Sequence, residues 1–507
     1  MTQGILSFKY EEEKKNFGTT ASAGILLFLD LAYKLGFTNI VEQNLSAKEG
    51  KQGWSDVSVL LSVILLNLSG GDCVDDIKVL EGDAGLRRIF KELEHKKAFG
   101  CPGQKQISQW RNGKLNTFPS PSSIFRYLDM FHNPSEEERR LKNVAFIPSS
   151  NENLLGLSRI NKDMLCFLQF NNPEKEATID VDASIVESQK EQALYSYKKY
   201  KGYQPLNVWW WEQGYMVHTE FRDGNVPAGW ELTRVFSETL SLLPSGVEKV
   251  YLRSDTAGYQ HKLLQYCEQG ENKRFGRIDF AIGSDVSVEF KREVFKVGES
   301  EWHPLHKEVN GQKEETGQEW AEVSYVPSAI CHSKKGRSYR YIGIREAFTD
   351  RQSTDTESQA SLPFPTMELN NKRYKIFGLV TNMDWDGEEL IHWSRKRCGN
   401  SEHVHSEMKE ALCGGQLPSG KFGANAAWWW MMILSLNLTA IMKKVALPSS
   451  WNGSRMKKIR FWLIHIPGRV ILVGKELIVR LTRDHPAMEL LVHVRRQIAG
   501  LNAFAMG

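Results

Sequence analysis

Three acidic residues stand where carboxylates can do chemistry. Asp182 lies in the stretch ATIDVDAS, Asp255 directly follows the apolar stretch VEKVYLRS, and Glu402 lies in CGNSEHVHSEMK. Small neighbours (Ala183, Ser184, Thr256, Ala257, Gly258) leave room beside the two aspartates for ions and a substrate backbone. Three hard oxygen ligands on rigid elements suit Mg²⁺, which binds few carboxylates and keeps waters for substrate phosphate. Two such ions can activate a water or hydroxyl and stabilise a leaving oxygen in phosphodiester chemistry. Asp180, two residues before Asp182 and on the same strand face, is the competing first ligand. The chain holds 61 acids, so such a triple also arises by chance, and a single strand-end Asp serves more often as a cap or turn residue. His403 and His405 flank Glu402, where surface or hydrogen-bonding roles are the ordinary reading.

The elements that must position these residues follow from periodicity. ATIDVDAS alternates apolar and acidic residues as a strand does. PLNVWWWEQGYMVHTEFRDG reads as two strands joined at Gln213-Gly214. Trp230 to Leu243 reads as a helix, VEKVYLRSD as a strand, Gln260 to Glu268 as a helix and FGRIDFAIG as a strand, the pattern of a mixed α/β sheet. Between residues 286 and 345, VSVEFKREVFKV, EWAEVSYV and RSYRYIGIR alternate and predict an all-β piece, and the polar TDRQSTDTESQAS predicts a loop. KRYKIFGLVTN resumes the strands, and a long helix runs from about Gly387 to Leu412, ended by Gly414-Gly415. Upstream, Ala21 to Tyr33, Asp56 to Leu68 and Val74 to Leu93 have helical periodicity, and FPSPSSIFRYLDMF has a helix start at Ser120 or Ser122. Such helices serve equally as a DNA-binding bundle or a packing or dimerisation domain.

The chain has 507 residues, 65 Lys+Arg against 61 Asp+Glu, and 41% hydrophobic residues, proportions that exclude a collagen, a coiled-coil rod and a wholly disordered chain. Its formal charge of +4 is unevenly spread. Residues 451–507 hold ten basic residues and three acids, a net +7, which leaves −3 for the other 450. A near-neutral body with a basic end suits a polyanion. Seven cysteines without a CxxC pair predict reduced thiols in a cytoplasm. The start, MTQGILSFKYEEEKK, carries acids where a signal peptide is basic and then apolar. The charge-free run Ala426 to Met442 is short for a membrane span and is broken by Ser435, Asn437 and Thr439, so a buried core helix and no membrane are expected. The WWW runs at 209–211 and 428–430 read as sheet and helix core rather than base-stacking platforms.

TIDVDAS, YQPLNVWWWEQG, FRDGNVPAGWE, YLRSDTAGYQ, RFGRIDFAIG and KRCGNSEHVHSEMK…GGQLPSGKFGANAAWWW, in this order, closely resemble DDE transposases of bacterial insertion sequences, above all the insertion-sequence thirteen-eighty family. The resemblance runs from about residue 176 to 447 and touches DDIKVLEGD and PSPSSIFRYL upstream. It implies an α/β fold: a ribonuclease H-like mixed sheet interrupted by an all-β insertion, between helical N- and C-terminal parts. It also implies a DNA transposase that binds terminal inverted repeats, cuts the ends with two Mg²⁺ ions (Mn²⁺ substituting) and joins the 3′ ends to target DNA. Such an enzyme works as a homodimer in a bacterial cytoplasm, at the nucleoid when active.

The family puts its first Asp two residues before a Ser or Thr, which Asp182 and Ser184 match; Asp255 and Glu402 match the other two acids. Of the Tyr-x2-Arg-x3-Glu-x6-Lys signature of some relatives, Glu402 and Lys409 fit the second half, on one helix face, while the Tyr and Arg positions hold Arg395 and Cys398. Arg395 or Arg397 can take over the phosphate contact from nearby. For DNA the candidates are Arg395, Arg397 and Lys409; Lys334, Lys335, Arg337 and Arg340 in HSKKGRSYRYIGIR; KKYKGYQ; and Lys457, Lys458 and Arg460 in the basic end. The expected layout is a helical DNA-binding or dimerisation domain at 1–145, a catalytic domain split over 174–285 and 374–447, an inserted β domain at 286–373 and a basic C-terminal region at 448–507.

Overall fold

In the computed structural model, residues 10–12, 14, 17–48, 53–95, 116–141, 144–309, 311–327, 338–348, 365–369, 372–474 and 476–502 are described. Alternating apolar residues bring one mixed sheet together. Its strands run in the order His303–Val309, Gln312–Val323, Arg340–Ala347, Lys372–Thr381, Asp279–Ser284, Lys249–Ser254, Glu176–Ala183, Leu206–Trp210, Tyr215–Glu220, and Thr366–Leu369 pairs with Lys372–Thr381. Glu176–Ala183 and Lys249–Ser254 are parallel with Val181 opposite Ser254, so Asp182 and Asp255 leave the sheet side by side. The hairpin predicted at Gln213-Gly214 is present, with Gly214 at φ 62°, where a glycine carries no Cβ penalty.

Helix Gly387–Ser406 starts at Asp386, whose carboxylate accepts from the amides of Glu388 and Glu389, and it packs on the strands that carry the two aspartates. It passes into one π turn, Glu407–Ala411, which closes on Gly414 and Gly415 through their amides and the carbonyls of Met408 and Lys409.

The WWW helix, Phe422–Val445, is buried from Phe422 to Met442 and packs against helices Glu152–Asn171 and Asp56–Ser69 and strand Tyr215–Glu220. The polar residues that interrupt it are satisfied inside the protein. Asn437 accepts from the Met216 amide and donates to the Met216 carbonyl and to Asn161, a set of bonds that replaces water in the core. Trp210, Trp428 and Trp429 are fully buried, as core residues. Among the described residues no single helix is long and apolar enough to cross a membrane.

Several expectations change. The segment 286–373 is not all-β: VSVEFKREVFKV forms helix Val288–Lys296, because Ser287 caps it and Phe290 and Val294, four apart, turn inward. Nor do its strands form a sheet of their own; they extend the sheet that carries the aspartates. Val74 to Leu93 is broken at Asp83 into Ile77–Gly82 and Ala84–His95, where Asp83 accepts from Thr20, Ala21 and Leu86. The boundaries at 145 and 448 do not separate cores. Thr19–Thr20 pairs with Gly468–Val473, helix Leu26–Leu35 packs on Met488–Gly500, and one hydrophobic cluster runs from Ile25 through the sheet to Ile498. Helix Glu152–Asn171, capped by Asn151, carries much of that core and bridges the N-terminal helices to the sheet.

Candidate active site

The two strand-end aspartates are held differently from their neighbour Asp180. Asp180 is 2% exposed and both its oxygens are taken by Arg253, at 2.6 and 2.8 Å. Arg253 also donates to the Trp393 carbonyl and lies between the rings of Trp211 and Trp393. Asp180 is thus committed to a buried ion pair. Asp182, two residues further on near the C-terminal end of this interior strand, is half-buried and meets Arg397 Nη1 at 3.1 Å.

Asp255 follows Ser254 and caps the short turn Thr256–Gly258 by accepting from the Ala257 amide at 3.0 Å. The turn lies flat on the strands because Gly258 and Gly283 lack side chains: a Cβ on Gly258 would stand 2.5 Å from the Ser254 side chain, and one on Gly283 3.3 Å from the Thr256 amide. Burial pushes the Asp255 carboxyl above its usual range, and the Asp182 charge beside it pushes further in that direction. Burial likewise pushes Asp182 up, against the pull of Arg397 and of the Ser401 hydroxyl. Two neighbouring acids that are both pushed up by burial form a site whose charge a divalent cation relieves.

Arg397, Ser401 and His405 follow one another at helical-turn spacing; Arg397 and Ser401 face Asp182, and His405 feels the Arg397 charge. Burial, then the charges of Lys409 and Arg397, hold the His405 imidazole down to about 4, so it is neutral near pH 7. Lys409 reaches the Ile185 carbonyl. Glu402 follows Ser401 in sequence and is exposed. Lys409 lies within the π turn Glu407–Ala411, and its charge acts on His405. Among the described residues no three of His, Cys, Asp and Glu stand close enough together to enclose an ion. The structure thus brings Asp182 and Asp255 together and leaves Glu402 on the adjoining helix surface. The donor set still fits a divalent cation: two close carboxylates, with a third, solvent-facing one carried next to Ser401.

The basic candidates divide. Arg397 serves Asp182, and Arg395 is half-buried on the same helix. Arg340 is not a free DNA contact: it pairs with Glu322 at 2.5 Å and donates to the carbonyls of Met383 and Trp385. Lys334, Lys335 and Arg337 lie outside the described residues. Lys457 and Lys458 are exposed. Arg460 is not: its guanidinium donates to the carbonyls of Asn67, Leu68 and Ala411, closing the C-terminus of helix Asp56–Ser69 and the π turn together. Arg460→Ala is therefore expected to lower stability by about 2–3 kcal/mol, as lost charge-assisted hydrogen bonds do. The same change should leave the salt dependence of DNA binding unaltered, whereas Lys457→Ala lowers that slope by about one. Thermal melting and a salt titration of binding check both halves.

Ser401, the burial of His405 on the same helix and the capture of Asp180 by Arg253 escaped the sequence reading. The i, i+4 spacing of Arg397, Ser401 and His405 on a helix already predicted is the signal that finds the first two.

The family model described as transposase DDE domain, group 1, matches residues 17–503. The chain belongs to this DDE transposase family. The match spans the N-terminal helices, the sheet and the basic end of the transposase alike, in keeping with their single core. Among solved structures, the transposase is similar to a piggyBac transposase synaptic complex with hairpin DNA, determined by cryo-electron microscopy. That likeness has 8% identity, covers 86% of this chain and 78% of the other, and has a TM-score of 0.39. No curated protein sequence matches.

Proposed function

We propose that the protein is a DNA transposase of a bacterial insertion sequence, of the thirteen-eighty family. It binds the terminal inverted repeats of its own element, cleaves the ends and joins the 3′ ends to target DNA. The observation that carries the proposal is the placement of Asp182 and Asp255 on neighbouring parallel strand ends, beneath the helix that bears Glu402. The strand order Asp279–Ser284, Lys249–Ser254, Glu176–Ala183, Leu206–Trp210, Tyr215–Glu220, with the last two antiparallel, supports a ribonuclease H-like core.

Asp182, Asp255 and Glu402 would hold the metal; Asp180 is taken by Arg253. Two Mg²⁺ ions, or Mn²⁺ in their place, would supply the activation of a water or 3′-hydroxyl and the charge stabilisation of the leaving oxygen. Arg397 fixes the Asp182 carboxylate from the helix, and Ser401 holds its other side. Lys409, Arg395, Lys457 and Lys458 would contact phosphates, which give affinity without sequence information. The reaction on two ends calls for a homodimer, working at the nucleoid of a bacterial cytoplasm.

The purified full chain, given a labelled fragment of the element's end and a plasmid target, should nick the fragment in Mg²⁺ and yield joined products. EDTA should abolish both. Binding without cleavage would make the protein a DNA-binding regulator, and cleavage without joined products a nuclease.

A further inference from the structure

The segment Arg455–Ile464 presents a surface that the metal site does not use. Its π turn, Arg460–Ile464, leaves Phe461 71% and Trp462 52% exposed, with their rings 5.3 Å apart and nearly perpendicular. Adjacent large aromatics of such exposure are unusual on a surface and mark a place of contact. They do not stand there by looseness. Ile459, Leu463 and Ile464 beside them are buried, Arg460 is bonded to three carbonyls, and the Met456 amide donates to Glu407. The turn is seated so closely on Gly24 that any Cβ there would overlap the Leu463 carbonyl.

The charge around the rings is of one sign. Arg455, Lys457 and Lys458 are exposed, Lys458 standing 4.9 Å over the Trp451 ring, and no acidic residue lines the cleft they form with Phe461 and Trp462. Cations that follow a backbone beside aromatic faces on which bases stack are the means by which unpaired nucleic acid is held without sequence preference.

The surface is tied to the helix that adjoins the two aspartates. Glu407 and Ala411, which anchor the segment, lie on the continuation of the helix whose Ser401 touches Asp182. Ser401 and Ala411 are ten residues apart, on helix Gly387–Ser406 and the π turn that continues it.

We propose that Phe461 and Trp462, with Arg455, Lys457 and Lys458, form a stacking platform for unpaired nucleotides of the DNA strand. This rests on the reading of the chain as a DNA transposase. The platform holds the strand where the end opens; it takes no part in the metal chemistry.

The test uses the full chain, a fluorescein-labelled twelve-nucleotide oligo-dT and a blunt duplex of the same length, read by fluorescence anisotropy. Phe461→Ala and Trp462→Ala should each weaken oligo-dT binding about tenfold, as loss of one stacked base does, and duplex binding less than about threefold. Lys457→Ala should weaken both. Unchanged melting temperatures show that the exposed substitutions leave the fold intact. Equal oligo-dT affinity in the aromatic variants overturns the platform. So does an unchanged oligo-dT affinity accompanied by lost co-sedimentation with phosphatidylserine vesicles, which assigns the surface to a membrane, or by dissociation of a dimer in sedimentation, which assigns it to a second copy. Asp255→Asn, run in parallel, separates the two readings: it should bind oligo-dT as the parent does. Retained cleavage in Asp255→Asn refutes the metal site and leaves the platform to the anisotropy result.

Discussion

Replacing Asp255 by Asn is expected to reduce cleavage of the element's end by at least about a thousandfold, the loss of several kcal/mol of transition-state stabilisation by bound metal. DNA affinity should stay within about threefold, because one charge changes among many phosphate contacts. The fold should not suffer. The Asn side-chain oxygen can still accept from the Ala257 amide, and the substitution removes a carboxylate that burial and Asp182 both disfavour in its charged form. The sign of this second effect follows from linkage. The folded-state value is raised above the unfolded one, so at pH 7 the ionised Asp255 lowers stability, and the penalty fades as pH falls toward the ordinary carboxylate range. Without metal, Asp255→Asn should therefore melt at the same temperature as the parent or higher at pH 7. A variant that is inactive yet no less stable is the mark of a site kept for function at a cost in stability. A purified variant that still cleaves would remove Asp255 from the reaction. A variant that is inactive but melts well below the parent would assign the residue to the fold.

The sequence shows the parts of this fold whose cause is local. The strand of Asp182 and the hairpin at Gly214 are legible because alternation and turn residues act over a few positions. The buried WWW helix is legible because a charge-free run with scattered Ser, Asn and Thr suits a protein interior better than a bilayer. What the sequence hides depends on partners far along the chain. VSVEFKREVFKV satisfies both the period of a strand and that of a helix, and the Ser287 cap decides between them. Arg460 and Arg340 count toward a basic surface in any tally of charge. Their guanidiniums are instead spent on carbonyls, of residues 67, 68 and 411 for Arg460 and of 383 and 385 for Arg340. Composition cannot separate such an arginine from Lys457, which faces water. The choice between Asp180 and Asp182 has the same character. Both lie on one strand face, and only the approach of Arg253, 73 residues away, sets them apart.

Arg253→Met tests that distinction and should have the largest effect on stability of any single change considered. The variant keeps much of the apolar stem between Trp211 and Trp393 but leaves the Asp180 carboxylate, 2% exposed, without its cation. Breaking a buried pair by removing one partner costs about 3–5 kcal/mol, because the remaining charge is neither hydrated nor compensated. Asp180 escapes part of that cost by taking up a proton. Burial already raises its carboxyl against the pull of Arg253, and without the guanidinium the folded value rises further above the unfolded one. The folded variant then binds more protons than the unfolded chain from the ordinary carboxylate range upward, so stability falls as pH rises through that window. The deficit of Arg253→Met relative to the parent should thus be larger at pH 8 than at pH 5. Adding Asp180→Asn should restore a good part of the loss and flatten its pH dependence, since a neutral amide replaces the stranded charge. The paired change Asp182→Asn should restore nothing, because Asp182 answers to Arg397 and not to Arg253. Urea denaturation of the four proteins at both pH values reads all of these differences. Rescue by Asp182→Asn rather than Asp180→Asn would exchange the two roles, making Asp182 the structural acid and Asp180 the one free for metal.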